Sequence, residues 1–116
     1  MSVTTVHTSR GALVKWWFMN ALPMDTVELS SEGITLRPRM RRPLNLARSA
    51  ILRVEYDRVR RPLNWSNDFY FRMVDGTRAP KLFRPLRTRR FIQMLGELGY
   101  EVADLAEGTK PDADTP

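Results

Sequence analysis

Short runs in which apolar and polar residues alternate with a period of two constrain this chain more than any other feature. Leu52, Val54 and Tyr56 alternate with Arg53, Glu55 and Asp57, and Phe69, Phe71 and Met73 alternate with Tyr70 and Arg72. Successive side chains of a strand point to opposite faces, so each run predicts a strand with one buried face. Val27 and Leu29 alternate with Thr26 and Glu28, and Ile34 and Leu36 with Thr35 and Arg37. Between them Ser30-Ser31-Glu32-Gly33 reads as a turn, with Gly33 free to take a positive φ, so a hairpin is expected over 26–38. A short strand is expected around Leu44-Asn45-Leu46, and a last one from Ala79 to Phe83. Trp65-Ser66-Asn67-Asp68 reads as a turn and Asp75-Gly76 as a tight turn.

The period changes once, after Pro85. Phe91, Leu95 and Leu98 fall at i, i+4 and i+7 with Met94 beside them, which predicts one helix over about 86–98. Thr88 is a candidate N-cap, with Pro85 as the alternative opening of the first turn. Gly99 suits the left-handed position after the last turn, with Tyr100 folding back on it. Near the start, Ser9 to Leu22 fits either period. Leu13, Trp16, Trp17 and Asn20 have helical spacing, while Val14, Trp16 and Phe18 alternate as in a strand, and the helix is preferred.

The 116 residues suffice for one domain and one core. The expected organisation is a loose N-terminus over 1–8, a single domain over 9–104 and a disordered acidic tail over 105–116. The first eleven residues are mostly polar, so no signal peptide is expected, and the apolar stretch from Ala12 to Met24 is too short and interrupted to span a bilayer. The chain has no cysteine, which excludes disulfides, a thiolate metal site and a cysteine nucleophile. This fits a reducing, cytoplasmic location, with peripheral membrane association as the other option.

These elements follow one another in a telling order. Short strands lead to Asp75-Gly76, then to Phe83-Arg84-Pro85, then to a helix ending Leu95-Gly96-Glu97-Leu98-Gly99-Tyr100. Over about residues 25–102 this order resembles the bacterial pleckstrin-homology-like (PH-like) domains. The resemblance implies a mainly β, α+β fold: a small antiparallel barrel of two orthogonal sheets with one C-terminal helix. It also implies a binding scaffold, without choosing the ligand.

Charge is distributed unevenly. Residues 37–90 hold 16 Lys and Arg against 4 Asp and Glu, while residues 91–116 hold 1 against 6. A basic middle suggests an anionic partner. The arginines are clustered: Arg39-Met40-Arg41-Arg42-Pro43-Leu44-Asn45 is echoed by Arg58-Val59-Arg60-Arg61-Pro62-Leu63-Asn64, and Arg84-Pro85-Leu86-Arg87 runs into Arg89-Arg90. Guanidinium groups offer a planar fork of donors that pairs two-fold with phosphate or carboxylate. If the strands form a simple meander, the loops at 39–43, 58–66 and 84–87 share one end and form a basic rim. The ligand-binding candidates are therefore Arg39, Arg41, Arg42, Arg58, Arg60, Arg61, Arg84 and Arg87. The alternative is that arginine and proline simply solubilise loops and protect edge strands.

Trp65 beside Arg60-Arg61 is the better placed aromatic contact candidate, with Trp16 and Trp17 as others. Trp16-Trp17-Phe18 beside Lys15 has three readings: core, interfacial membrane anchor, or protein-binding patch. Catalytic candidates are few. His7 is the only histidine, Asp57, Asp68 and Asp75 read as solvating or turn residues, and no phosphate-cradling glycine loop occurs. The sequence therefore predicts a non-enzymatic interaction module, with no cofactor or metal, that binds an acidic protein or an anionic membrane surface. Nucleic acid is the alternative partner, and an uncharacterised enzyme the lesser alternative.

Overall fold

The computed structural model describes residues 5–15, 24–39, 41–60 and 65–105, without the side chains of 59, 60, 65 and 66. Within these the chain is mainly β with one helix. Eight strands are β1 (His7–Val14), β2 (Asp25–Ser30), β3 (Gly33–Arg37), β4 (Leu44–Ala47), β5 (Ile51–Arg60), β6 (Trp65–Met73), β7 (Leu82–Pro85) and β8 (Val102–Asp104). The helix α1 spans Thr88–Glu97, between β7 and β8.

All eight strands join one sheet in the order β4-β3-β2-β1-β7-β6-β5-β8. Every described pair is antiparallel except β5–β8, which is parallel, with Val54 opposite Val102. The expectation of a wholly antiparallel sheet is thus corrected at one edge, and β8 is a strand that alternation over three residues was too short to announce. The sheet is open, with β4 and β8 as its edges.

Several expected elements are present: the hairpin of β2 and β3, the short β4, and β5 and β6 with Phe69 and Phe71 buried. Others are corrected. Residues 7–14 form a strand and not the start of a helix, because β1 pairs with β2 on one side and β7 on the other. That strand also begins inside the segment expected to be loose. Trp65 to Asp68 is strand and not turn. Leu52 is 47% exposed, because an irregularity between Ile51 and Arg53 turns Ile51 inward instead. Gly33 does not take a positive φ, which falls on Gly76 and Gly99 among the described residues. What Gly33 provides is space: a Cβ there would collide with the Leu46 carbonyl oxygen across the β3–β4 pair.

The helix begins at Thr88, with Arg87 at the N-cap position and no side-chain cap, so Thr88 is not the cap. Its C-terminus follows expectation. Gly99 has φ +84° and its N–H donates to the Gly96 carbonyl, while the Tyr100 N–H donates to the Leu95 carbonyl, and these two bonds satisfy the last turn. Phe91, Met94 and Leu95 face the sheet and join Leu13, Val27, Leu29, Ile34, Leu36, Val54, Phe69, Phe71 and Phe83 in one core. Phe91 meets Phe69 edge-on at 4.8 Å between ring centroids. Residues 16–23, with Trp16, Trp17 and their three readings, lie outside the described residues, as do 61–64 and the expected tail from 106. No helix among the described residues is long and apolar enough to cross a membrane.

Leu95 is fully buried beneath the sheet. Leu95→Ala is expected to lower the unfolding free energy by about 2–5 kcal/mol, measured by urea denaturation. A loss below about 0.5 kcal/mol, typical of a surface site, would contradict this packing.

Candidate functional site: a basic corner between the first strand and the helix

Ladder directions decide which arginine clusters meet. Strands β4, β2, β7 and β5 run one way, and β3, β1 and β6 the other. Because β4 and β5 run the same way and are not neighbours, the simple meander on which the single basic rim was based is not the topology of this sheet, and loop order alone does not gather Arg39, Arg41 and Arg42 with Arg58 and Arg87. The meander assumption fails because β1, remote in sequence, inserts between β2 and β7.

The predicted site residues have different fates. Arg39, Arg41 and Arg42 are exposed, and the Arg39 N–H donates to Asp25 Oδ1 at 2.7 Å, fixing that connection to the start of β2. Arg58 is exposed on β5. The side chains of Arg60 and Trp65 are not described, and Arg61 lies outside the described residues. Arg84 is not a rim residue. It is 12% exposed and its Nε donates to Asp68 Oδ1 at 2.8 Å. Asp68 is fully buried, so the reading of it as a solvating turn residue is also corrected. Asp75 does form a turn, accepting from the Thr77 N–H and hydroxyl at 2.9 and 2.6 Å.

Asp68 and Arg84 belong to a charged layer on the face of the sheet away from the helix. Glu55, only 2% exposed, lies in the same layer. It accepts from Arg53 Nε at 2.8 Å and from Arg72 Nη2 at 3.1 Å, with Arg78 Nη2 at 3.5 Å. Arg78 also stacks on Tyr70, 4.1 Å from the ring centroid. Burial alone would raise the Glu55 carboxyl. Hydrogen bonds from Arg72 and Arg53, with the charges of both, outweigh it and hold the group below its ordinary value. These arginines are committed to neutralising buried carboxylates.

A different set is uncommitted. Backbone pairing sets Gly11 opposite Pro85, and the Leu86 N–H donates to the Arg10 carbonyl at 3.0 Å. The first turn of α1 thus starts beside β1. Arg10, Arg87, Arg89 and Arg90 are all exposed there, and none has an ion-pair partner among the described residues. Thr8, Ser9, Arg10, Leu86, Arg87, Arg90 and Met94 line a cleft of about 290 Å³. A larger hollow of about 330 Å³ along β2–β4 has Glu28 and Glu32 as its charged lining, and so does not suit an anion.

Of this corner, sequence reasoning named Arg87 as a site and noted Arg89-Arg90. It missed Ser9 and Arg10, which reach the corner only through a strand pairing some seventy residues distant in sequence. Among the described residues no cluster of three or more His, Asp or Glu is placed to hold a metal ion. Comparisons with protein-family models, with curated proteins and with solved structures return no match.

Glu55 sets a pH dependence. Its folded-state pKa is lowered, so its charge stabilises the fold above the unfolded value of about 4.3 and this contribution is lost as pH falls through the lower folded value. Acid unfolding should therefore steepen below about pH 4.3, and Glu55→Gln should flatten that limb while lowering stability at neutral pH. A Glu55→Gln curve parallel to wild type across the acid range would contradict the assignment.

Proposed function

We propose that the chain is a non-enzymatic interaction module that binds an anionic partner, an acidic protein segment, through the basic corner between β1 and α1. The observation that carries this reading is the division among the arginines. Arg37, Arg53, Arg72, Arg78 and Arg84 are paired with carboxylates, whereas Arg10, Arg87, Arg89 and Arg90 stand together without one among the described residues. Like charges gathered within one helical turn repel one another, and a bound anion relieves that repulsion. Leu86, 58% exposed and lining the same cleft as Arg10, Arg87 and Arg90, supplies an apolar contact that charge alone does not.

An acidic protein fits better than an anionic membrane. Among the described residues, the other exposed large apolar side chains, Val6, Met24, Leu52 and Val74, do not line the cleft and so add no apolar face to Leu86 there. A membrane-surface module needs such a face to insert. The PH-like resemblance belongs to the same proposal. What supports it is the coarse architecture, a mainly β sheet with one helix after β7, and what it implies is a binding scaffold.

The test is binding of fluorescent polyglutamate, duplex DNA and phosphatidylserine vesicles to the full chain. Polyglutamate should bind with salt-sensitive affinity, and the triple substitution Arg87→Gln, Arg89→Gln, Arg90→Gln should weaken it at least about tenfold, equivalent to about 1.4 kcal/mol. Arg41→Gln with Arg42→Gln, exposed residues that do not line the cleft, should change it little. Tighter binding of duplex DNA, with a salt slope of about −0.9 per phosphate contact, would replace this reading with the nucleic-acid one.

A further inference from the structure

We infer that the cleft between β1 and α1 receives an extended acidic segment of the protein partner, which adds to the sheet as a short strand along the open edge of β1. The inference rests on the proposed function and deepens it, since it names how the acidic partner is held: by main-chain hydrogen bonds as well as by charge.

The observation that carries it is a lane in the sheet that β7 vacates. β1 pairs with β2 from His7 to Gly11, but with β7 only from Gly11 to Val14. Backbone groups of successive strand residues point alternately to the two sides. The Leu13 N–H donates to the Asp25 carboxylate at the start of β2, whereas the Arg10 carbonyl accepts from the Leu86 N–H on the opposite side. Odd-numbered residues of β1 therefore hydrogen-bond toward β2, and even-numbered residues away from it. Among the described residues no strand continues the β7 lane beyond Leu86, where the chain turns into α1. The Thr8 N–H and carbonyl and the Arg10 N–H point into that lane, with no hydrogen-bond partner among the described residues. Both residues are exposed.

The lane coincides with the cleft of about 290 Å³. Four residues of β1 edge offer about 14 Å there, at about 3.4 Å per residue. Ser9 and Met94 form the buried floor of the cleft, and Arg10, Arg87 and Arg90 its exposed rim. An added strand sends alternate side chains to floor and rim, so the matching segment alternates small apolar and acidic residues. Strand addition of this kind draws affinity from main-chain bonds and specificity from alternate side chains. Charge also chooses the occupant. A second copy of this edge carries the same arginines and is repelled, while a strand of opposite charge is favoured.

The experiment is calorimetry on the full chain with the peptide Val-Glu-Val-Glu-Val-Glu and with its block isomer Val-Val-Val-Glu-Glu-Glu. The alternating peptide should bind at least about tenfold more tightly, a difference of about 1.4 kcal/mol. In an extended peptide of this pattern the valine N–H groups face one edge and the glutamate N–H groups the other. Of two analogues, one N-methylated at the valines and one at the glutamates, one should lose at least about tenfold in affinity and the other keep it. Amide exchange at Thr8 and Arg10 should slow when the alternating peptide is bound. Loss in both methylated analogues or in neither, or unchanged exchange at Thr8 and Arg10, would overturn strand addition and leave the acidic-partner reading standing on polyglutamate binding. Failure of both peptides and of polyglutamate would overturn both readings.

Discussion

A connector of three residues governs this structure. Arg48 to Ala50, a single 3-10 turn, joins β4 at one edge of the sheet to β5 near the other. In a flat sheet the two strands would be six steps apart, about 29 Å at about 4.8 Å per step. The chain from Ala47 to Ile51 spans at most about 14 Å. The sheet must therefore roll strongly, well beyond ordinary strand twist, and the hollow it makes is filled by one face of α1. Arg48 fastens the arrangement. Its N–H donates to the Glu32 carbonyl at 2.9 Å, and its guanidinium donates to the Leu98 and Gly99 carbonyls at 3.2 and 2.6 Å. The same guanidinium lies 3.8 Å from the centroid of the Tyr100 ring, whose hydroxyl donates to the Ser30 carbonyl at 2.6 Å. Burial raises the Tyr100 hydroxyl pKa and Arg48 opposes that rise, so the phenol stays a donor throughout the neutral range.

That clasp acts at one end of the helix and leaves the other end free for a ligand. The C-terminal carbonyls of α1 are satisfied by a cation from the connector, as the helix dipole favours. The N-terminal turn has no such complement and instead gathers positive charge around it. A helix held rigidly at its far end and open at its near end is a suitable platform for an anion, since binding need order little else. Charge elsewhere is spent on structure: arginines on the same strand and on neighbouring strands neutralise the buried Glu55 and Asp68.

Local elements were legible in the sequence and long-range ones were not. The β2–β3 hairpin, β6, the helix and its Gly99 terminus each follow from periodicity or backbone chemistry within a few residues. The sequence also marked Arg87 and its neighbours as basic. It did not reveal that Arg84 turns inward to Asp68, because a strand alternates and nothing local says which face a second layer will cover. Residues 7–14 carried helical spacing as well as alternation, and only pairing with β7 decides between them. The same pairing brings Ser9 and Arg10 beside the start of the helix, so the cleft there was invisible until topology was known. Glu55, flanked by apolar Val54 and Tyr56, read as solvent-facing because the alternation that buries its neighbours exposes it in a sheet with only one covered face.

Amide hydrogen exchange on Arg48→Ala tests the central claim most directly, since fastening of the rolled sheet to the helix is what positions everything else. Loss of the guanidinium should raise exchange at Leu98, Gly99 and Tyr100 and across the β2–β3 turn, while amides at the centre of the β5–β6 pair keep their protection. Exchange unchanged at the end of α1 and at the turn would contradict the account, because the connector would then hold the roll without the clasp.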